Sequence, residues 1–152
     1  MKKGGINVYE QQVQMGLFLH RYYDSTPIAM HDIGAISFFS RGKNLDLEGL
    51  GNVEVAQSRK DHYWTSDFLY AQCKKDSVRI AIVYDQSYPA DLRNHWYKIA
   101  LWWMPDNVAC YSDEVTFYAV DSSYGPQLKA NLRAFQPSLP GDVVAVYRDG
   151  QK

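Results

Sequence analysis

The chain has 152 residues, 46% of them hydrophobic and 22% charged, with 16 Lys and Arg against 17 Asp and Glu for a formal net charge of −1. That length buries roughly two-thirds of the surface an unfolded chain exposes, and the hydrophobic share excludes an intrinsically disordered protein. No basic excess exists to neutralise a phosphate backbone, so nucleic acid is not an expected partner.

Aromatic residues are abundant: twelve Tyr, six Phe and four Trp. Tyr and Trp join a large apolar face to a polar tip, which suits cores and half-wet interfaces alike. No segment approaches the roughly 20 apolar residues that cross a bilayer. Met1-Lys2-Lys3-Gly4-Gly5 is basic but no apolar run follows, so it does not read as a signal peptide, and a soluble chain is expected. Cys73 and Cys110 match no metal-binding spacing. Two unpaired buried thiols are the preferred reading over a disulfide.

In chain order, residues 1–6 read as a flexible start. Asn7 with Glu10 three residues on resembles a capping box. Val8 to Tyr23 contains no Pro, and Tyr9, Val13, Gly16, Leu17 and His20 recur at helical spacing, which predicts one amphipathic helix with His20 at the core edge. Asp24-Ser25-Thr26-Pro27 ends it. Pro27 to His31 is a short apolar run that predicts a buried strand. Asp32 can then cap the amides of Gly34 or Ala35 for a helix from Ile33 to Ser40. Asn44 to Leu47 alternates as the next strand, completing a compact βαβ unit with parallel strands.

Gln57 to Asp61 reads as a mobile polar segment, and Trp64 to Lys75 as a helix. Ser77 to Tyr84 is the clearest strand, β-branched and continuous enough to be central. Residues 85–94 form a loop. Tyr97–Trp103 and Val115–Val120 predict antiparallel strands, Pro126 opens a helix to about Phe135, and Val143–Tyr147 is a last strand. The expected fold is a single three-layer α/β domain spanning 1–152. Its sheet is mixed and mainly parallel, Rossmann-like at the start, with antiparallel strands in the second half.

Gly49-Leu50-Gly51 follows a strand ending in Asp46, yet the third glycine of a dinucleotide fingerprint is replaced by Glu54, whose charge repels a pyrophosphate. The glycines are read as a turn, and no cofactor is expected. Asp46 and Glu48 are two apart and share one side of a strand. With His31, Asp32, Asn52 and Glu54 they form the candidate ligand site, offering donors and acceptors for sugar hydroxyls or a hard cation. The opposing reading is a helix cap and a solvated rim. No G-x-S-x-G elbow occurs, neither Cys sits in a nucleophile setting, and His62 and His95 stand alone in polar sequence. No catalytic set and no metal site follow from spacing.

His31-Asp32-Ile33-Gly34-Ala35-Ile36-Ser37-Phe38-Phe39-Ser40-Arg41, then Leu45-Asp46-Leu47-Glu48-Gly49-Leu50, resembles the soluble region after the last membrane helices of bacterial membrane-embedded glycosyltransferases. These are akin to protein mannosyltransferases and arabinose transferases, which take sugar from a polyprenyl-phosphate carrier. In them a D-I-G-A-I segment precedes D-L-x-G-L and then N-P-E. Here Asn52-Val53-Glu54 keeps the outer residues and lacks the proline. Tyr9-Glu10-Gln11-Gln12, Trp102-Trp103-Met104-Pro105 and Val115-Thr116-Phe117-Tyr118 are similar to such tails as well.

The resemblance implies an excised tail domain, or a homologue without the membrane part, on the extracytoplasmic (periplasmic) side of the inner membrane. Its catalytic acids lie in membrane loops absent from this sequence, so no catalytic residue carries over. The expected function is a non-catalytic accessory domain that contacts a sugar or glycan, or the membrane-embedded part of its parent. Two rivals stand beside it: a small enzyme or ligand-binding domain with its site at the strand ends, and a structural interaction domain.

Overall fold

The computed structural model of the protein describes residues 3–148. Helix α1 (Lys3–Val8), a π-helical segment (Tyr9–Val13) and α2 (Gln14–Tyr23) run on as one rod. The start is therefore helical from Lys3; of the predicted flexible residues, Met1 and Lys2 lie outside the described residues. Asn7 caps nothing. It is buried within the rod, and its Oδ1 accepts the Val108 amide at 2.9 Å.

The buried face of the rod also differs from the expected one. It carries Asn7, Gln11, Gln14, Met15, Phe18 and Leu19, while His20 is exposed and pairs with Asp24. The true stripe is polar in its first half, so hydropathy periodicity pointed to its neighbour.

Strands β1 (Ile28–Met30), β2 (Asn44–Asp46), β3 (Ile80–Val83), β4 (Tyr97–Trp103), β5 (Glu114–Ala119) and β6 (Val144–Tyr147) form one sheet in the order β2-β1-β3-β5-β4-β6. β1 pairs parallel with β2 and β3; the β3–β5, β5–β4 and β4–β6 pairings are antiparallel. The sheet is thus mixed, with its parallel character confined to the first three strands. Helix α3 (Gly34–Phe39) joins β1 to β2, and α4 (Val53–Lys60) and α5 (Ser66–Lys75) join β2 to β3. Helix α6 (Gly125–Phe135) lies between β5 and β6 with Pro126 in its first turn.

Strand alternation divides the interior into two cores. Ile28, Met30, Ile80, Ile82, Phe117 and Trp102 face α2, α3 and α6. Ala29, Ala81, Val83 and Tyr118 face Leu69 and Cys73 of α5, with Leu92 and Trp96 from the segment before β4. This gives three layers: helices, sheet, then α5 with that segment.

The predicted mobile stretch at Gln57–Asp61 is the second half of α4. Asn52 caps the helix by accepting the Val55 amide at 3.2 Å, and Val55 and Ser58 are buried. Its apolar residues Val53 and Ala56 face solvent while polar Ser58 is buried, which hid the periodicity.

Candidate functional site

β1 lies between β2 and β3, so the chain leaves β1 to one side and returns to the other, with α3 and α5 on opposite faces of the sheet. Such a reversal opens a crevice at the carboxyl ends of the strands, where open α/β sheets take ligands. His31 is the first residue beyond β1, Tyr84 the first beyond β3, and Glu48 stands two beyond β2.

The His31 ring is bounded by Tyr84, Tyr88 and Tyr111, with centroids 4.6, 5.8 and 5.0 Å away. Its Nδ1 lies 2.9 Å from Glu48 Oε1 and 3.2 Å from the Tyr88 hydroxyl. Burial outweighs the nearby carboxylates and holds His31 below the ordinary histidine range. At neutral pH the ring is therefore uncharged, and Nδ1–H donates to Glu48, which leaves Nε2 as the acceptor.

Arg59 supplies the charge partner for Glu48, with Nη2 2.6 Å from the same carboxylate oxygen, and its guanidinium lies 3.9 Å over the Trp64 ring. Burial still lifts the Glu48 carboxyl above its usual range against that pull. A continuous path thus runs Trp64–Arg59–Glu48–His31–Tyr88, and Trp64 closes on Tyr88 at 5.2 Å.

The opposite wall comes from the π-helical segment and the β4–β5 loop. Tyr84 donates its hydroxyl to Gln11 Oε1 at 3.1 Å, and Gln11 Nε2 donates to the Ser112 carbonyl at 2.7 Å. Tyr111 stacks on Tyr84 with an interplanar angle of 24° and remains 63% exposed, so one ring of the cluster faces solvent. π-Turns inside helices recur at functional sites, because they re-aim side chains within one turn. Here the segment buries Glu10 and Gln11.

Several expected ligand residues are used by the fold itself. Asp32 caps as expected, accepting the Gly34 amide at 3.0 Å, and its other oxygen accepts from Gln12. Asp46 emerges beside His31 as the βαβ unit required, but it is buried and accepts the amides of Glu48, Gly49 and Gly51 at 2.8, 3.1 and 2.5 Å. Asn52 caps α4, and Glu54 pairs with Lys75 at 2.7 Å on an exposed surface. Of the six candidates, His31 and Glu48 meet in the aromatic cluster, with Asp32 adjoining it in sequence.

Sequence reasoning missed Arg59, Tyr84, Tyr88, Tyr111 and the two glutamines. The available signals were the high Tyr content and a tyrosine closing the most strand-like run. Both cysteines are free. Burial drives the Cys73 thiol up and pushes Cys110 up to about 11, with Asp32 and Glu10 adding to the latter, so neither is a thiolate nucleophile. His62 is exposed, whereas His95 is half-buried, stacked on Tyr70 and 2.7 Å from Asp67. Among the described residues no three His, Cys, Asp or Glu side chains are placed to hold a metal ion.

A family model described as "Domain of unknown function (DUF8728)" matches residues 6–118. The chain belongs to this family. No curated protein and no solved structure matches it. The part matched to DUF8728 holds every residue of the His31 cluster and ends inside β5; α6 and β6 complete the first core beyond it.

Proposed function

We propose that the chain is a non-catalytic binding module whose working surface is the crevice around His31, and that its ligand is hydroxyl-rich, a sugar or glycan. The observation that carries this is the exposed ring of Tyr111, stacked on Tyr84 beside His31, which contacts Glu48, at the switch point of the sheet. Aromatic faces pack on the apolar C–H faces of sugar rings, while His31 Nε2 and the Tyr88 hydroxyl offer an acceptor and a donor for hydroxyl groups. The resemblance to tails of membrane-embedded glycosyltransferases supports the same ligand class. It further suggests an accessory role beside a membrane-bound parent on the extracytoplasmic side. No helix among the described residues is long and apolar enough to cross a membrane, so the attachment would be to a separate span.

Calorimetric titration with mannose- and arabinose-containing oligosaccharides tests this reading. Saturable binding that Tyr111→Ala weakens roughly fivefold, the loss of about 1 kcal/mol of ring contact, supports it. No binding to any oligosaccharide, or binding indifferent to Tyr111, refutes it.

A second reading has one observation of its own. A neutral histidine oriented by a carboxylate on Nδ1 has the form of a general base. A turnover abolished by His31→Ala would promote the enzyme reading over the accessory one.

A further inference from the structure

On the second face of the sheet, beside the His31 crevice, the 85–95 segment stands off β4, β5 and the end of β6 and encloses a cleft of about 610 Å³. Tyr88 is shared between the two: its hydroxyl faces His31 while the residue also lines the cleft. The cleft has the volume of a small-molecule site.

Its charge is unbalanced. Arg93, Lys98 and Arg148 line it against one acid, Asp85. Asp85 is already engaged on both oxygens, accepting from Lys98 Nζ at 2.5 Å and from the Tyr118 hydroxyl at 2.9 Å. That leaves two guanidinium groups without a side-chain hydrogen bond or ion pair among the described residues. They remain so in a chain whose acids outnumber its bases, and in which Lys43 and Lys75 have found carboxylates. Arg93 and Arg148 both line this cleft, Arg148 at an edge it shares with a second cavity, and a guanidinium presents parallel N–H donors that match phosphate geometry. The remaining walls are partly aromatic, with Tyr88 and Tyr118 among the lining residues, and suit a flat or ring-shaped body attached to that anion.

We propose that this cleft binds a phosphomonoester carried on a ring, a sugar phosphate or a nucleoside monophosphate, with Arg93 and Arg148 holding the phosphate. The site shares only Tyr88 with the His31 cluster and does not depend on the sugar reading above. Closing on a dianion satisfies both guanidinium groups, and the phosphate stands clear of Asp85 because that carboxylate is neutralised within the wall.

The test is calorimetry of the full chain at low ionic strength with glucose 6-phosphate, uridine monophosphate and inorganic phosphate, each organic probe run beside its unphosphorylated parent. At least one organic phosphate should bind saturably, more tightly than inorganic phosphate and roughly tenfold or more tightly than its parent, weakening as salt is raised. Which of the two binds better identifies the ring. Arg93→Ala and Arg148→Ala should each cost roughly tenfold in affinity, as expected for a lost charge-assisted pair. Arg93→Lys should fall between, and Lys60→Ala, which does not line the cleft, should change nothing. Both arginines are exposed, and an unchanged denaturation midpoint confirms that the variants fold. Equal affinity for phosphorylated and unphosphorylated probes, no binding of any phosphate at millimolar concentration, or full binding by the double alanine variant would overturn the proposal.

Discussion

Single residues decide what the strand ends can do. Asp46 is the clearest case: one buried carboxylate accepts the amides of Glu48, Gly49 and Gly51 in the turn after β2. Asp46→Ala strands those amides and should lower stability by roughly 3 kcal/mol in urea denaturation, with Asn recovering about half. A cost near zero would mean the turn holds itself. His31 and Glu48 give the fold a pH signature. The His31 pKa lies below the ordinary 6.5, so the unfolded chain takes up this proton first as pH falls. Stability should therefore be full above about 6.5 and decline below it towards the native value. Glu48 works in the opposite sense: its raised pKa makes the native state hold the proton just above 4.5, so stability from this group is present at lower pH and lost as pH rises through the native value. His31→Gln should abolish the decline below 6.5 and leave the Glu48 contribution. An unchanged slope would show that another group titrates there.

At the scale of elements, the turn between β2 and α4 and the rod that opens the chain explain most of what the sequence revealed and concealed. Gly49 adopts φ of +86°, and a Cβ there would lie 2.6 Å from the Ala56 amide nitrogen. The turn reading of Gly49-Leu50-Gly51 follows from residue type alone. Gly49→Ala should cost roughly 2–3 kcal/mol from backbone strain and clash together; a loss under 0.5 kcal/mol, measured by thermal denaturation, would contradict the geometry. The βαβ unit was equally plain, because Asp32, Pro27 and the apolar runs mark its ends locally. α4 was hidden because its buried residues are only Val55 and Ser58. The inward face of the opening rod was hidden for the converse reason. Asn7, Gln11 and Gln14 are buried there, and Asn7 and Gln11 go to partners about a hundred residues away, a constraint that no local window contains. The site inherits this limit. His31 and Glu48 were readable from their strand-end spacing, whereas Arg59, Tyr84, Tyr88 and Tyr111 come from three separate segments that meet only in the fold.

For the whole molecule, sheet order sets a gradient of stability. β3 and β5 are central and buried almost throughout, while β6 forms the edge with every second residue exposed. Amide exchange should place β3 and β5 at the global unfolding limit and release β6 well before it. Protection of β6 equal to that of β3 would deny the gradient. At the carboxyl end of β1 the His31 cluster is packed against the β4–β5 loop, with Tyr111 as its exposed ring. The central claim is that a hydroxyl-rich ligand enters there. The most direct measurement is a heteronuclear NMR titration of the ¹⁵N-labelled chain with a mannose oligosaccharide, reading every backbone amide at once. The account predicts saturable shifts confined to residues at the ends of β1 and β3 and in the β4–β5 loop, including His31, Tyr84 and Tyr111. Saturable shifts elsewhere with these residues unmoved, or no shifts at saturating sugar, would contradict it.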